Sequence, residues 1–193
     1  DFPGNAVDID FNLFPFYSDQ KAPMLYRNLG KSNLKVSALC LGTMMFADQT
    51  ALAEAASIVA DARDHGVNYI DLLYSDPAGR DESFFEAFTP GLRARRDRFT
   101  VTAHWGDWTT YDPDVSQRCF DQLLPLLGDG RGGGYADVAM LTMVDDERTW
   151  REWGVPSVER LRRYQERGQV GHIGMSSHMP DVALQAVESG LVD

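Results

Sequence analysis

The chain has 193 residues, 44% of them hydrophobic, and a formal net charge of −11. This composition supports one substantial core, and the acidic balance disfavours nucleic acid and anionic membranes as partners because both are negatively charged. No run of about 18 apolar residues occurs, so no transmembrane segment is predicted, and we expect a soluble protein of the cytoplasm or of an organelle matrix.

The two cysteines exclude several kinds of site. Cys40 and Cys119 are far apart in the sequence and form no CxxC pair. A zinc or iron–sulfur site carried by cysteine within this chain is therefore excluded. Lone thiols are typical of a reducing compartment.

Residues 1–23 differ in character from the rest of the chain. They combine acidic residues and prolines with an aromatic cluster, and they show neither helical nor strand periodicity. Because an exposed aromatic segment is unfavourable in water, we predict an arm that lies on a surface of its own chain or of a protein partner. The aromatic cluster consists of Phe11, Phe14, Phe16 and Tyr17.

A regular domain is predicted over residues 24–193. It begins with a hairpin that turns at residues 30–33, followed by a short buried strand over residues 38–41. Apolar residues at helical spacing then predict a helix over residues 50–65, and Gly66 is predicted to end it.

The alternation of strand and helix repeats four more times. Five β-then-α units in order predict a parallel sheet with right-handed crossovers. A closed eight-stranded barrel takes roughly 250 residues, so we predict an α/β fold of the TIM-barrel type that holds five of eight βα units. Its open edges need further residues, the arm or a partner chain to cover them. The later strands are predicted over residues 67–71, 99–103, 137–141 and 170–175, and the helices near residues 82–88, near residues 115–124, around Pro156 and from Pro180.

Two clusters lie next to the predicted strands. The first is basic and precedes a strand, and we interpret it as a solvated loop. The second is aromatic and follows two of the strands, so we predict that it caps the barrel mouth, where it lines a substrate pocket or binds a partner. The basic cluster is Arg93, Arg95, Arg96 and Arg98, and the aromatic cluster is Trp105, Trp108, Tyr111, Trp150 and Trp153.

Polar residues occupy the predicted carboxyl ends of the strands, where barrel enzymes hold their functional groups. These residues are Thr43, Asp71, His104, Thr142 and Ser176. The segments around them, LYRNLGKSNLKVSALCLGTMMF, GVNYID, GRDE, RRDRFTVTA, YADVAML and GQVGHIGMSSH, resemble successive signature segments of the aldo-keto reductases. The stretch IGMSSHMPDVALQAVESGLVD is similar to the ferredoxin-like branch of that family. The resemblance covers residues 24–193 nearly continuously and implies carbonyl reduction by hydride transfer from NADPH.

The resemblance also implies where the catalytic residues stand. The family uses a Tyr as proton donor, an Asp and a Lys that tune this Tyr, and a His that orients the carbonyl. Asp71 matches the family Asp, whereas Asp76 stands at the Tyr position, His104 at the Lys position and Thr142 at the His position. Tyr74 replaces the proton donor only if the loop register shifts by two residues.

These replacements predict a loss of the family's chemistry. An ionised Asp76 repels the oxyanion that develops as hydride arrives, unless burial keeps that carboxyl neutral. General acid catalysis contributes about 100- to 10,000-fold, so ordinary carbonyl reduction is expected to be severely weakened.

Four small residues match the family's approach to the nicotinamide end of the cofactor: Gly42, Thr43, Ser176 and Ser177, the last in place of the usual Asn. An equally open interpretation is that they close tight turns at the strand ends. The resemblance places the family's phosphate-binding loops in the last three strands of the barrel. We therefore expect NADP(H) binding only if the remaining barrel is present.

Three functions follow from these observations. The leading hypothesis is a non-catalytic structural or interaction subunit, derived from an aldo-keto reductase and held in a larger assembly by residues 1–23 and by the open barrel edge. The alternative is a divergent NAD(P)H-dependent oxidoreductase that acts on a carbonyl. The third is a metal-dependent lyase or hydrolase in which Asp71, Asp76 and His104, with His178, bind a divalent ion.

Overall fold

A computed structural model describes residues 23–44, 52–73, 82–106, 111–128 and 134–193. These residues form seven β-strands, six α-helices, one 3-10 turn (Arg96–Arg98) and one π-helical turn. The strands are β1 (Tyr26–Asn28), β2 (Lys35–Ser37), β3 (Cys40–Gly42), β4 (Tyr69–Leu72), β5 (Thr100–Trp105), β6 (Ala136–Leu141) and β7 (Val170–Met175). The helices are α1 (Leu52–Asp64), α2 (Glu82–Arg93), α3 (Pro113–Leu126), α4 (Glu147–Thr149), α5 (Val155–Glu166) and α6 (Pro180–Glu188), and the π-helical turn is Trp150–Gly154.

The central sheet is parallel and follows the order of the chain. Its strands are arranged β3-β4-β5-β6-β7, and β1 and β2 form a separate antiparallel hairpin. A crossover containing a helix joins each strand of the sheet to the next, as parallel pairing requires. The prediction of an incomplete TIM-barrel-type α/β fold with an N-terminal hairpin is confirmed.

The core lies between the sheet and the helices. Successive side chains of a strand point to opposite faces, and on the helix side almost every position is apolar and buried. Burial of an aliphatic or aromatic side chain contributes about 1.5–3 kcal/mol to stability, so this layer is the main source of folding free energy. The sheet contributes Ile70, Leu72, Val101, Ala103, Trp105, Ala139, Leu141 and Ile173 to it.

The opposite face of the sheet corresponds to the interior of a barrel and is more polar. Tyr69, Asp71, His104 and His172 lie on it and are half-buried. The prediction of a buried first strand was wrong, since Cys40 and Gly42 are exposed and Leu41 is half-buried. Among the described strands β3 pairs with β4 alone, so it lies at the edge of the sheet.

Two helices begin or end beyond the predicted positions. Helix α2 continues past residue 88 to Arg93 with Pro90 inside it, and the Thr89 hydroxyl donates to Phe85 O, 2.6 Å away, in its buried turn. The helical segment that contains Pro156 already begins at Glu147 and passes through the π-helical turn. Hydrophobic spacing does not detect that turn, because its period differs from 3.6 residues.

The basic cluster is not simply a solvated loop, and that interpretation was wrong for Arg96. This side chain is 6% exposed and donates to Asp137 Oδ2 at 2.7 Å, to Phe99 O at 2.7 Å and to Tyr135 O at 3.0 Å. Its guanidinium also stacks on the Tyr135 ring at 3.8 Å. A planar cation with several donors satisfies these acceptors together, which explains its burial.

The hairpin is attached to the amino-terminal end of the sheet. Ser37 N donates to Asn68 Oδ1 at 2.6 Å, and Asn68 Nδ2 donates to Lys35 O at 2.9 Å. Residues 1–22, which make up nearly all of the predicted arm, lie outside the described residues. In the described parts of the chain, no helix has the length and apolarity that a bilayer crossing requires.

Candidate functional site

The carboxyl ends of β4, β5 and β6 bring three of the four predicted catalytic positions together. Asp71 pairs in register with Thr102, two residues before His104, and His104 pairs with Met140, two residues before Thr142. Parallel pairing therefore places Asp71, His104 and Thr142 in one diagonal row across three strands, each two residues further along than its neighbour. Asp76 and Tyr74 lie outside the described residues.

A continuous chain of hydrogen bonds joins these three side chains. His104 Nε2 lies 3.0 Å from Asp71 Oδ1, and His104 Nδ1 lies 2.9 Å from Thr142 Oγ1. Thr142 is fully buried, and its hydroxyl lies 2.7 Å from Gly106 O. Both nitrogens of the imidazole are thus engaged within the protein.

The single proton of the Thr142 hydroxyl sets the direction of these hydrogen bonds. If the hydroxyl donates to Gly106 O, its oxygen accepts from His104 Nδ1; if it donates to His104 Nδ1 instead, His104 Nε2 donates to Asp71. In both arrangements an imidazole stands where the resemblance expects a lysine.

Three further side chains, those of Tyr69, Thr102 and Cys40, lie on the same face below this row. The Tyr69 hydroxyl and Thr102 Oγ1 are 3.1 Å apart. Although Cys40 as a residue is exposed, desolvation of its sulfur and then the negative charge of Asp71 raise the pKa of its thiol to about 12. The thiol therefore stays protonated at neutral pH and is a poor nucleophile.

The side chains of the predicted cofactor residues mainly bond to neighbouring strand ends. The Thr43 hydroxyl donates to Asp71 O at 3.2 Å, and Thr43 is 2% exposed. The Ser176 hydroxyl accepts from Met143 N at 2.8 Å, and the Ser177 hydroxyl lies 3.3 Å from Asp145 Oδ1. These bonds join neighbouring strand ends. Gly42 is exposed at the edge strand, with no atom within 4 Å of the place a Cβ would occupy.

Asp145 is the residue that the sequence analysis missed at this end of the sheet. Its Oδ1 accepts from His178 N at 2.6 Å, and its Oδ2 lies 2.8 Å from His178 Nδ1. The side-chain hydrogen bond from His178 and then the backbone one lower the pKa of Asp145. The available signal was its place three residues after Thr142 in the loop that follows β6.

The proposed metal ligands are divided between two places. His178 is bound to Asp145, while His104 is bound to Asp71. Within the described ranges, no group of three or more His, Cys, Asp or Glu side chains is arranged to hold a metal ion.

Three members of the aromatic cluster, Trp105, Trp150 and Trp153, are buried and do not cap the mouth as predicted. Trp105 is fully buried on the helix side of β5, where its ring packs against Phe120 at 5.4 Å and Tyr164 at 6.0 Å. Trp150 and Trp153 are also buried. The prediction assumed that residues after a strand face the mouth, whereas residue parity turns Trp105 towards the helices. Tyr111 is 37% exposed, and Trp108 lies outside the described residues.

Comparison with known proteins identifies the fold. No model of a protein family matches the chain. The chain is 37% identical over 98 residues to a probable voltage-gated potassium channel subunit beta of Arabidopsis thaliana. This match covers 49% of the chain and 30% of that protein. It is 28% identical over 172 residues to the L-glyceraldehyde 3-phosphate reductase of Escherichia coli. This match covers 86% of the chain and 49% of the enzyme.

Solved structures of aldo-keto reductases have the same architecture. The holo form of one from Bacillus halodurans matches with a TM-score of 0.65 and 21% identity over 86% of this chain and 54% of that one. One from Klebsiella pneumoniae in complex with NADPH matches with a TM-score of 0.59 and 21% identity over 81% of this chain and 51% of that one. The chain therefore has the aldo-keto reductase fold, and it spans half or less of the length of these two curated relatives.

Proposed function

We propose that this chain is a structural or partner-binding subunit with the aldo-keto reductase fold that does not carry out ordinary carbonyl reduction. The observation that carries the proposal is the closed hydrogen-bond chain from Asp71 through His104 to Thr142. A proton donor for a substrate carbonyl needs a free hydrogen bond directed at the substrate oxygen. Both nitrogens of His104 are already committed to protein groups.

The residue types at this site support the same function. The resemblance places the proton donor at Asp76, and an ionised carboxylate there opposes the negative charge that develops on a carbonyl oxygen. Thr142 is buried and hydrogen-bonded to Gly106 O, so its hydroxyl is already used within the protein. The position that orients the carbonyl in the family is therefore used here to fix the loop after β5.

Partner binding is supported by the exposed edge of the sheet. Leu39 and Met44 flank β3 and are 62% and 48% exposed. Edge strands with neighbouring apolar side chains are sites where another chain adds on. The Arabidopsis relative is a probable voltage-gated potassium channel subunit beta, and its name as a subunit points in the same direction. We propose that residues 1–23 and this edge hold the partner.

The proposal is tested with the full chain in two measurements. We expect no saturable quenching of NADPH fluorescence at micromolar protein and no NADPH oxidation with a panel of aldehydes and ketones. Micromolar NADPH affinity together with turnover of an aldehyde or ketone would contradict the proposal. Separately, a variant that lacks residues 1–23 is compared with the full chain by affinity capture and size-exclusion chromatography. Unchanged association counts against the proposed role of the arm.

A divergent oxidoreductase is the second candidate, and one observation favours it. His104 Nε2 lies 3.0 Å from Asp71 Oδ1, so a nitrogen base stands beside this carboxylate where the resemblance expects the Lys–Asp pair. If the protein binds NADP(H), the resemblance implies that the nicotinamide lies near four described residues: Gly42, Thr43, Ser176 and Ser177. Turnover that is lost in His104→Gln but retained in His65→Gln identifies this candidate.

A further inference from the structure

The recess at the amino-terminal end of β4 and β5 lies at the opposite end of the sheet from Asp71. It has a volume of about 350 Å³ and is lined by Arg63, Arg95, Arg98, Tyr26 and the backbone of residues 66–68. This volume is within the range of pockets that hold small molecules. We refer to it as the arginine recess, and we propose that it binds a small phosphorylated molecule.

The charge of the arginine recess is unusual for this chain. Among the described residues, its lining has three guanidinium groups and no carboxylate, in a protein whose formal net charge is −11. Arg63 and Arg98 pair with Asp64 at 2.8 Å and with Asp97 at 3.5 Å, but all four side chains are largely exposed. Exposed pairs of this kind are weak, so an incoming anion readily replaces the carboxylates. In the described part of the chain, Arg95 has no carboxylate within ion-pair distance.

The backbone next to Arg95 and Arg98 is anchored by the buried arginine between them. Arg96 is bonded to Asp137 and to the carbonyls of Phe99 and Tyr135. The 3-10 turn Arg96–Arg98 is therefore held against the sheet, and the exposed Arg95 and Arg98 line the recess. Because the backbone is already fixed, only the side chains lose conformational entropy when a ligand binds.

The opposite wall is also fixed. The Tyr26 hydroxyl donates to Gly66 O at 2.8 Å, and Asn68 uses its side chain to hold the hairpin. Gly66 has a φ of +81°, and a Cβ at this position would lie 2.9 Å from Met24 Cβ. Hairpin and sheet thus form a wall with little freedom to collapse into the recess.

The chemistry of the recess favours a phosphoryl group over other anions. Guanidinium groups bind phosphate oxygens in bidentate geometry, and a phosphoryl group has enough oxygens for more than one such pair. A carboxylate satisfies a single guanidinium in this way. The concave shape favours a small molecule over a flat acidic protein surface.

The test is isothermal titration of the full chain at constant ionic strength. The probes are inorganic phosphate, phenyl phosphate, benzoate as the matching carboxylate, and an aspartate-rich peptide. The variants are Arg95→Gln/Arg98→Gln and, as a matched control, Arg162→Gln, which removes an exposed arginine on α5. Circular dichroism verifies that each variant is folded.

We expect saturable binding of both phosphate probes, binding weakened about tenfold or more in Arg95→Gln/Arg98→Gln, and unchanged binding in Arg162→Gln. Three results overturn the proposal: no saturable phosphate binding, equal weakening in the control variant, or tighter binding of benzoate or the peptide than of phenyl phosphate. No step uses NADPH or a carbonyl, so this outcome is separate from that of the proposed function.

Discussion

His104 Nε2 lies 3.0 Å from Asp71 Oδ1, which joins β5 to β4 through their side chains at the carboxyl end of the sheet. On its other side the imidazole is bound to Thr142 on the strand end of β6. Three neighbouring strands are thus tied together where a barrel enzyme binds its substrate. The contribution of these hydrogen bonds to the free energy of unfolding can be measured without knowledge of a ligand.

Thr142→Val removes the hydroxyl that links His104 to Gly106 O. We expect a loss of about 1–3 kcal/mol in the free energy of unfolding, because buried groups lose their hydrogen-bond partners. Thr142→Ser retains the hydroxyl and is expected to lose less. Urea denaturation of the three proteins measures the difference, and equal stability of the Val and wild-type chains would contradict a structural role for the network.

Asp137→Ala breaks the buried ion pair with Arg96. The arginine is then left with an unpaired charge, and Val101 N loses the Asp137 Oδ2 acceptor at 2.8 Å. We expect a loss of about 3–5 kcal/mol in the free energy of unfolding. Arg98→Gln, which removes an exposed charge from the same cluster, is expected to stay within about 0.5 kcal/mol of wild type. Similar denaturation midpoints for the two variants would show that burial of Arg96 contributes little.

The Asp145–His178 contact predicts a contribution to stability that depends on pH. Hydrogen bonds from His178 lower the pKa of Asp145 in the folded state. A carboxyl with a lowered folded pKa stabilises the protein above its unfolded pKa of about 3.9, and this contribution is lost as the pH falls through the folded value. His178→Ala should move the pKa of Asp145 upwards. Titration of the Asp145 carboxyl carbon by NMR measures the shift, and His65→Gln should leave it unchanged.

Gly106→Ala tests the close packing behind the network. Gly106 has a φ of +78°, and a Cβ there would lie 2.7 Å from the Trp153 ring and 2.9 Å from Ser116 Oγ. Gly168 has a φ of +70° with no atom within 4 Å of the same position. Gly168→Ala is therefore expected to lose only the backbone term of about 1–2 kcal/mol, and Gly106→Ala clearly more. Equal losses in thermal unfolding would mean that the Trp153 indole moves aside easily.

Much of the fold was predictable because it depends on local patterns. Alternating apolar runs and turn residues predicted the strand order, and Gly66 lies just beyond the end of α1 as expected. The extension of α2 through Pro90 and the π-helical turn were not predictable in this way. Both depend on packing against other elements, which overrides local propensity.

In the candidate site, too, the positions of residues were predictable from the sequence and their contacts were not. The sequence placed Asp71, His104 and Thr142 at strand ends, but it did not show that one imidazole binds both of the others. That contact depends on the register of β4, β5 and β6, and register is a property of pairing between distant segments. Asp145 was missed for the same reason, since its partner His178 lies 33 residues further along the chain.

By itself, the sequence determined the architecture and the residue types at the barrel mouth, because strand periodicity and chain order are local properties. The tertiary structure alone decided how those residues are used. Trp105 faces the core, and His104 is hydrogen-bonded to both Asp71 and Thr142. Arg96 is buried against Asp137, whereas Arg95 and Arg98 line a recess. Each outcome follows from which side of the sheet a residue faces and which partners lie within a few ångströms, and these are set only when the strands pair.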